Sequence, residues 1–169
     1  SLMDVKVLDK LGQGKLSDAI AGIQYATVND ADVISMSLGA ELPCNGLDAT
    51  SLAANAAVKQ GVHVVVAAGN LGPLPRTITS PGCAEDVVTV GAVDRLDNIV
   101  AFSSRGPTLD NRVKPDIVAP GVLILASQNG GSYTAKSGTS MAAPHVSGVI
   151  ALILSQNPNL SPKQVKDVL

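Results

Sequence analysis

Gly138-Thr139-Ser140-Met141-Ala142-Ala143-Pro144-His145 sets a serine at the start of an apolar run that continues to about Gln156. That run reads as a helix. The first turn of a helix leaves its N–H groups unpaired and carries a positive partial charge. Both favour negative charge developing on an oxygen beside Ser140. Gly138 gives a substrate backbone room to approach. A plainer role is open to the same residues, since serine is a common helix cap. On pattern alone, the capping role is the simpler.

Two other segments end in residue types that can meet a ligand: Ser37-Leu38-Gly39 and Ala68-Gly69-Asn70. In an open parallel sheet, function gathers beyond the carboxyl ends of the strands. Small residues there leave the backbone accessible, and Asn70 offers a side-chain amide as donor. The alternative for Gly69-Asn70 is a turn with no further role.

Elements that could position these residues follow from the apolar pattern. Val5–Leu8, Val33–Leu38, Val62–Ala68 and Val87–Val93 read as strands, with shorter extended runs at Ile117–Ala119 and Val122–Ala126. Helices fit between them. One is capped by Ser17 and runs to about Asn29. A second is capped by Asp48, turns Leu52, Ala53, Ala56 and Ala57 inward, and stops at Gly61. Thr139–Gln156 is apolar nearly all round, so it should be buried. Ser161-Pro162 starts the last helix. Strands alternating with helices indicate an α/β fold: three layers, a mainly parallel sheet, helices on both faces.

Composition supports this reading. Hydrophobic residues make up 46% of the 169 and aromatics only 2%, so the core is aliphatic. Net charge is −2 without a long charge run, which argues against nucleic-acid and membrane-surface partners. No apolar run is long enough to span a membrane. The opening residues, with Asp4 and Lys6, do not form a signal peptide. The abrupt start on a strand-like segment and the stop within a helical one are what a piece of a larger domain would show. Residues 1–169 contain no linker or repeat and read as one partial domain. Cys44 and Cys83 permit one disulfide, worth about 4 kcal/mol by loop-closure entropy. Two free thiols are the equal alternative.

The motifs, taken together, carry a resemblance. Gly138 through Gly148 is similar to the nucleophile segment of subtilisin-like serine proteases, the subtilases. Lys6–Leu8, Ile34–Gly39, Ala67–Asn70, Phe102–Pro107 and Pro115–Gly121 match further segments in the family's order. The resemblance implies a serine endopeptidase, a hydrolase acting on peptide or protein substrates, secreted or extracellular. It implies Ser140 as nucleophile and Asn70, with the Ser140 N–H, as the oxyanion hole. It implies that Ser37, Leu38 and Gly39, facing Gly12, Gln13 and Gly14, bind substrate backbone by strand addition. Ala67, Ala68 and Gly69 would wall the side-chain pocket with Ser37–Gly39. No cofactor is implied with certainty. Calcium is common in the family, and Asp116 matches a weak cation position, but no metal site is assigned; Asp94, Asp97 and Asp110 read as solvated turn residues.

Subtilases order their triad Asp, His, Ser along the chain, and the first two would lie upstream of Val5. Neither histidine present substitutes. His63 starts the strand that ends near Asn70, about 23 Å away, and reads as a surface or sheet-end residue. His145 lies five residues beyond Ser140 on one helix and points about 140° away. Lys136 falls in an expected loop before Gly138. The 169 residues alone are therefore expected to show little or no peptidase activity. An unpaired sheet edge is also expected, inviting an N-terminal complement or a homo-oligomer by edge-strand pairing. Two other readings remain: a non-catalytic peptide-binding or self-assembling module on a protease fold, and an α/β-hydrolase esterase. The latter lacks the final Gly of the nucleophile elbow.

Overall fold

The computed structural model describes all 169 residues. Four parallel strands form the central sheet in the order β1 (Val33–Met36), β2 (His63–Ala67), β3 (Val88–Val93), β4 (Ile117–Pro120). Helices α1 (Leu16–Val28) and α2 (Ala49–Lys59) cover one face; α3 (Thr139–Gln156) and α4 (Pro162–Val168) cover the other. All of β2 is buried because its alternate residues serve two cores. Val64 and Val66 pack with Ile23, Ala54 and Ala57, whereas Val65 and Ala67 pack with Ala142, Val146 and Ile150. The fold is the three-layer α/β arrangement expected from the sequence.

Several local expectations need correction. Val5–Leu8 forms no strand. Side-chain packing holds it instead: a Cβ on Gly22 of α1 would come within 2.5 Å of Val7 Cγ1. The N-cap of α1 is Lys15, because Asp18 accepts the Lys15 N–H and supplies negative charge in the first turn. Ser17 lies inside that turn. Asp48 does cap α2, yet the buried face is Thr50, Ser51, Ala54 and Ala57, with Leu52 and Ala56 exposed. The cause is polar: the Ser51 N–H and hydroxyl and the Ser80 hydroxyl all donate to Asp48, which turns this face inward. Burial pulls the Asp48 carboxyl upward more than any single contact lowers it. Those hydrogen bonds together outweigh burial, and its pKa falls below the usual value.

Helix α3 is not buried all round. Val149 is 46% and Leu152 70% exposed, since the sheet covers one side only. Beyond β4, the extended run continues as an antiparallel hairpin, β5 (Ile124–Gln128) with β6 (Ser132–Lys136). β6 escaped sequence reading because Ser-Tyr-Thr-Ala-Lys is mostly exposed and has no apolar alternation. Lys136 thus lies in a strand, not a loop. Cys44 and Cys83 form a disulfide, with Cα atoms 6.0 Å apart.

A charged knot anchors the outer side of the sheet. Asp116 receives the ammonium groups of Lys114 (2.7 Å) and Lys166 (3.1 Å), and both lysines also donate to the Val87 carbonyl. The Thr89 N–H donates to the same carboxylate. Burial drives the Lys114 pKa down from 10.5 to about 8, partly opposed by Asp116. Between those values the unfolded chain holds a proton that the folded chain has released. This group therefore makes unfolding free energy rise with pH across that window. NMR of the Lys114 Nζ should show titration near pH 8; a midpoint above pH 10 would contradict the assignment. Asp116→Asn should destabilise the fold by about 3 kcal/mol in denaturant unfolding, because two cations would then lack their anion. A loss under about 1 kcal/mol, typical of an exposed pair, would contradict it.

Candidate active site

Ser140 is the second residue of α3, and the conformation at this helix tip has several causes. Pro144 has no N–H, so the Ser140 carbonyl lacks its helical partner. The Ser37 hydroxyl takes that place, donating to the Ser140 carbonyl at 2.8 Å. In return the Ser140 hydroxyl donates to the Ser37 carbonyl at 3.1 Å. The tip of α3 and the end of β1 are thus tied by a reciprocal pair.

A second tie joins α3 to the end of β2. The Thr139 N–H and hydroxyl both donate to Asn70 Oδ1, at 2.9 and 3.1 Å, while the Gly69 N–H donates to the Thr139 hydroxyl at 3.2 Å. With Oδ1 occupied twice, the amide orientation is fixed and Nδ2 remains the free donor. Gly69 has φ +105°, and a Cβ there would lie 2.5 Å from Thr79 Oγ1, so glycine is required. Next to Gly138, Asn70 Nδ2 and the Ser140 N–H both stand 3.6 Å from one point, the site a Cβ on Gly138 would take. Two donors therefore border a space that glycine leaves unfilled, with Asn70 Oδ1 at 3.7 Å behind them.

These groups line a cleft of about 560 Å³. Gly12, Gln13 and Gly14 form one rim; Ser37, Leu38, Gly39, Ala67, Gly69, Asn70 and Ser140 also border it. Ala68 does not. It is fully buried against Ile78 and Cys83. Sequence reading missed Thr79 and Ser80, whose long loop gives no periodic signal, and the role of Thr139, which sits in the serine segment itself.

Neither histidine approaches Ser140. His145 is exposed and its Nδ1 meets the Met141 carbonyl of its own helix at 2.8 Å. His63 pairs with Val33 at the far end of β2 and is buried, 5% exposed, rather than on the surface. Burial lowers its pKa, against smaller opposing effects of the Leu160 backbone and Asp32.

Cation sites fare poorly. Both Asp116 oxygens are held by lysine ammonium groups, so this carboxylate does not fit a metal. Asp94 is taken by its own turn, accepting from Leu96 and Asn98, and Asp110 by Thr108 and Arg112. Cys44, Asp48 and Cys83 converge, but the sulfurs are bonded to each other and offer no thiolate.

A helix-tip serine thus stands beside a fixed amide at the ends of an open parallel sheet. A family model described as "Subtilase family" matches residues 1–169. The chain is 43% identical to "Serine protease AprX" of Bacillus subtilis (strain 168), covering all of this chain and 45% of that protein. It is 43% identical to "Subtilisin DY" of Bacillus licheniformis, covering all of this chain and 59% of that protein. Among solved structures, a cold adapted subtilisin-like serine proteinase superposes with TM-score 0.83 at 36% identity, over 97% of this chain and 57% of that one. Sphericase superposes with TM-score 0.84 at 33% identity, over the same shares. The chain belongs to the subtilase family of serine proteases. It spans about half the length of these relatives.

The Thr139 anchor is directly testable. Thr139→Val should lower stability by about 1 kcal/mol and broaden or shift the Asn70 side-chain amide resonances, since Oδ1 loses a donor. Unchanged Asn70 resonances would show that Thr139 does not hold the amide.

Proposed function

We propose that this chain carries the nucleophile and oxyanion hole of a secreted serine endopeptidase. The observation that carries this is that the Asn70 amide nitrogen and the Ser140 N–H stand equally near one point beside Gly138, in a cleft that Ser140 and Asn70 both line. Substrate backbone adds alongside Ser37–Gly39 and the Gly12–Gly14 rim. Ser140 Oγ attacks the scissile carbonyl carbon as its proton passes to a histidine, oriented by an aspartate, both outside these 169 residues. The carbonyl oxygen becomes an oxyanion held by Asn70 Nδ2 and the Ser140 N–H. Collapse breaks the C–N bond, and the histidine returns the proton to the leaving amine. Water, deprotonated by the same histidine, then hydrolyses the acyl-serine. Calcium has no step in this scheme.

Residues 1–169 form a partial peptidase domain in this reading. β1 ends the sheet with nothing paired on its outer side. That edge suits an N-terminal complement bearing the aspartate and histidine. The disulfide fits an oxidising, extracellular setting. No helix is long and apolar enough to cross a membrane. A second reading draws on the same open edge: a non-catalytic module that binds peptides or self-associates through it.

One experiment separates the two. Loss of the histidine from a subtilisin triad costs about 2 × 10⁶ in kcat, a value established for subtilisin itself. The isolated 169 residues should therefore react slowly with a fluorophosphonate and cleave no peptide. Adding an N-terminal segment with the aspartate and histidine should restore both labelling of Ser140 and cleavage. Rapid stoichiometric labelling of the isolated chain would refute the need for an outside base. A stable complex that binds peptide but never cleaves would favour the non-catalytic module.

A further inference from the structure

The segment after β1 and the loop before β3 face each other across the side-chain end of the cleft, as Gly39–Glu41 and Thr79–Ser80. They lie very close. The Ala40 N–H donates to the Ser80 carbonyl at 3.0 Å, the Cys44 N–H donates to the Ile78 carbonyl at 3.2 Å, and Pro43 and Thr79 pair antiparallel. Gly39 approaches the Ser80 carbonyl so closely that no Cβ fits between them. The disulfide Cys44–Cys83 crosses this joint just outside the cleft, three residues past Ser80 and four past Ala40.

A polar clamp surrounds the same joint. Arg112 Nη2 donates to the carbonyls of Asn45 and Cys83, both at 2.8 Å, and its Nε pairs with Asp110 at 2.7 Å. The Leu109 N–H donates to the Cys44 carbonyl. None of these contacts involves Ser140, Asn70 or Thr139. The joint reaches the chain before Asn70 through Thr79, whose N–H donates to the Ala68 carbonyl at 3.0 Å, and it forms one end of the same cleft.

We propose that the Cys44–Cys83 disulfide fixes the spacing of these two walls, and so makes recognition of the substrate side chain redox-dependent while leaving the Ser140 machinery untouched. This rests on the peptide-cleft reading. A dithiol reductant breaks the S–S bond, leaves a proton on each sulfur, and departs as its own cyclic disulfide. The walls are then held by hydrogen bonds that exchange with water. Thr79 and Ser80 gain freedom relative to Gly39, and a pocket of defined width becomes adaptable. The side-chain preference weakens before the chemistry does.

Dansyl-labelled tetrapeptide acids ending in Leu or in Ala, titrated by fluorescence anisotropy, read the pocket without turnover. The oxidised full chain should distinguish the two. The Cys44→Ser/Cys83→Ser variant should lose roughly tenfold in affinity for the better peptide, as an ångström-scale misplacement of a binding wall predicts. Its rate of fluorophosphonate labelling at Ser140 should not change. The same titration on wild-type protein before and after reduction guards against misfolding of the variant. Lost preference that returns on reoxidation supports the proposal. Affinities for both peptides that reduction leaves unchanged, with both thiols shown free by alkylation, overturn it, as does a labelling rate that falls in parallel with affinity. If the oxidised protein binds neither peptide, the cleft reading itself fails.

Discussion

Five hydrogen bonds tie the first turn of α3 to the ends of two parallel strands. Two link Ser140 with Ser37 on β1's side, and three link Thr139 with Gly69 and Asn70 beyond β2. A helix start ordinarily leaves its N–H groups to water or a cap. Here Thr139 turns its own N–H and hydroxyl onto Asn70 Oδ1, while Ser140 borders the cleft. The amide nitrogen and the Ser140 N–H stand equally near one point beside Gly138. The proline that costs α3 a hydrogen bond also frees the carbonyl that Ser37 captures. Much of the site's geometry follows from how this one turn is satisfied.

The sheet supplies the rigidity behind it. β2 is buried on both faces, so the strand that leads into Gly69-Asn70 can scarcely shift without disturbing two cores. Around that frame, polar knots do what apolar packing cannot. Asp48 binds α2 to the loop of Ser80, the Lys114–Asp116–Lys166 group joins β4 to α4, and Arg112 gathers three carbonyl and carboxylate partners near the disulfide. Asp116 has both carboxylate oxygens taken by side-chain ammonium groups of the chain itself.

The architecture was legible because its signals were strong. A continuous apolar run marks β2, and capping serine and aspartate mark α4 and α2. Ser37, Gly39, Asn70 and Ser140 stand out in the sequence as strand-end and helix-start residues, and the roles proposed for them come from motif resemblance. What sequence could not show depends on partners far along the chain. The rotation of α2 is set by Ser80, 32 residues from Asp48, and the packing of Val5–Leu8 by Gly22. Ala68 turns away from the cleft that Ala67 and Gly69 border because Ile78 and Cys83, on a loop with no periodic signal, bury it. The full burial expected of α3 failed since hydropathy reports what a helix could bury, not what this chain brings to cover it.

The most direct measurement is a crystal structure of the protein phosphonylated at Ser140. The phosphoryl oxygen should lie about 3 Å from both Asn70 Nδ2 and the Ser140 N–H, with Thr139 still holding Asn70 Oδ1. An oxygen directed into solvent, or an Asn70 amide turned so that its oxygen faces the adduct, would contradict the anion pocket on which the account is built.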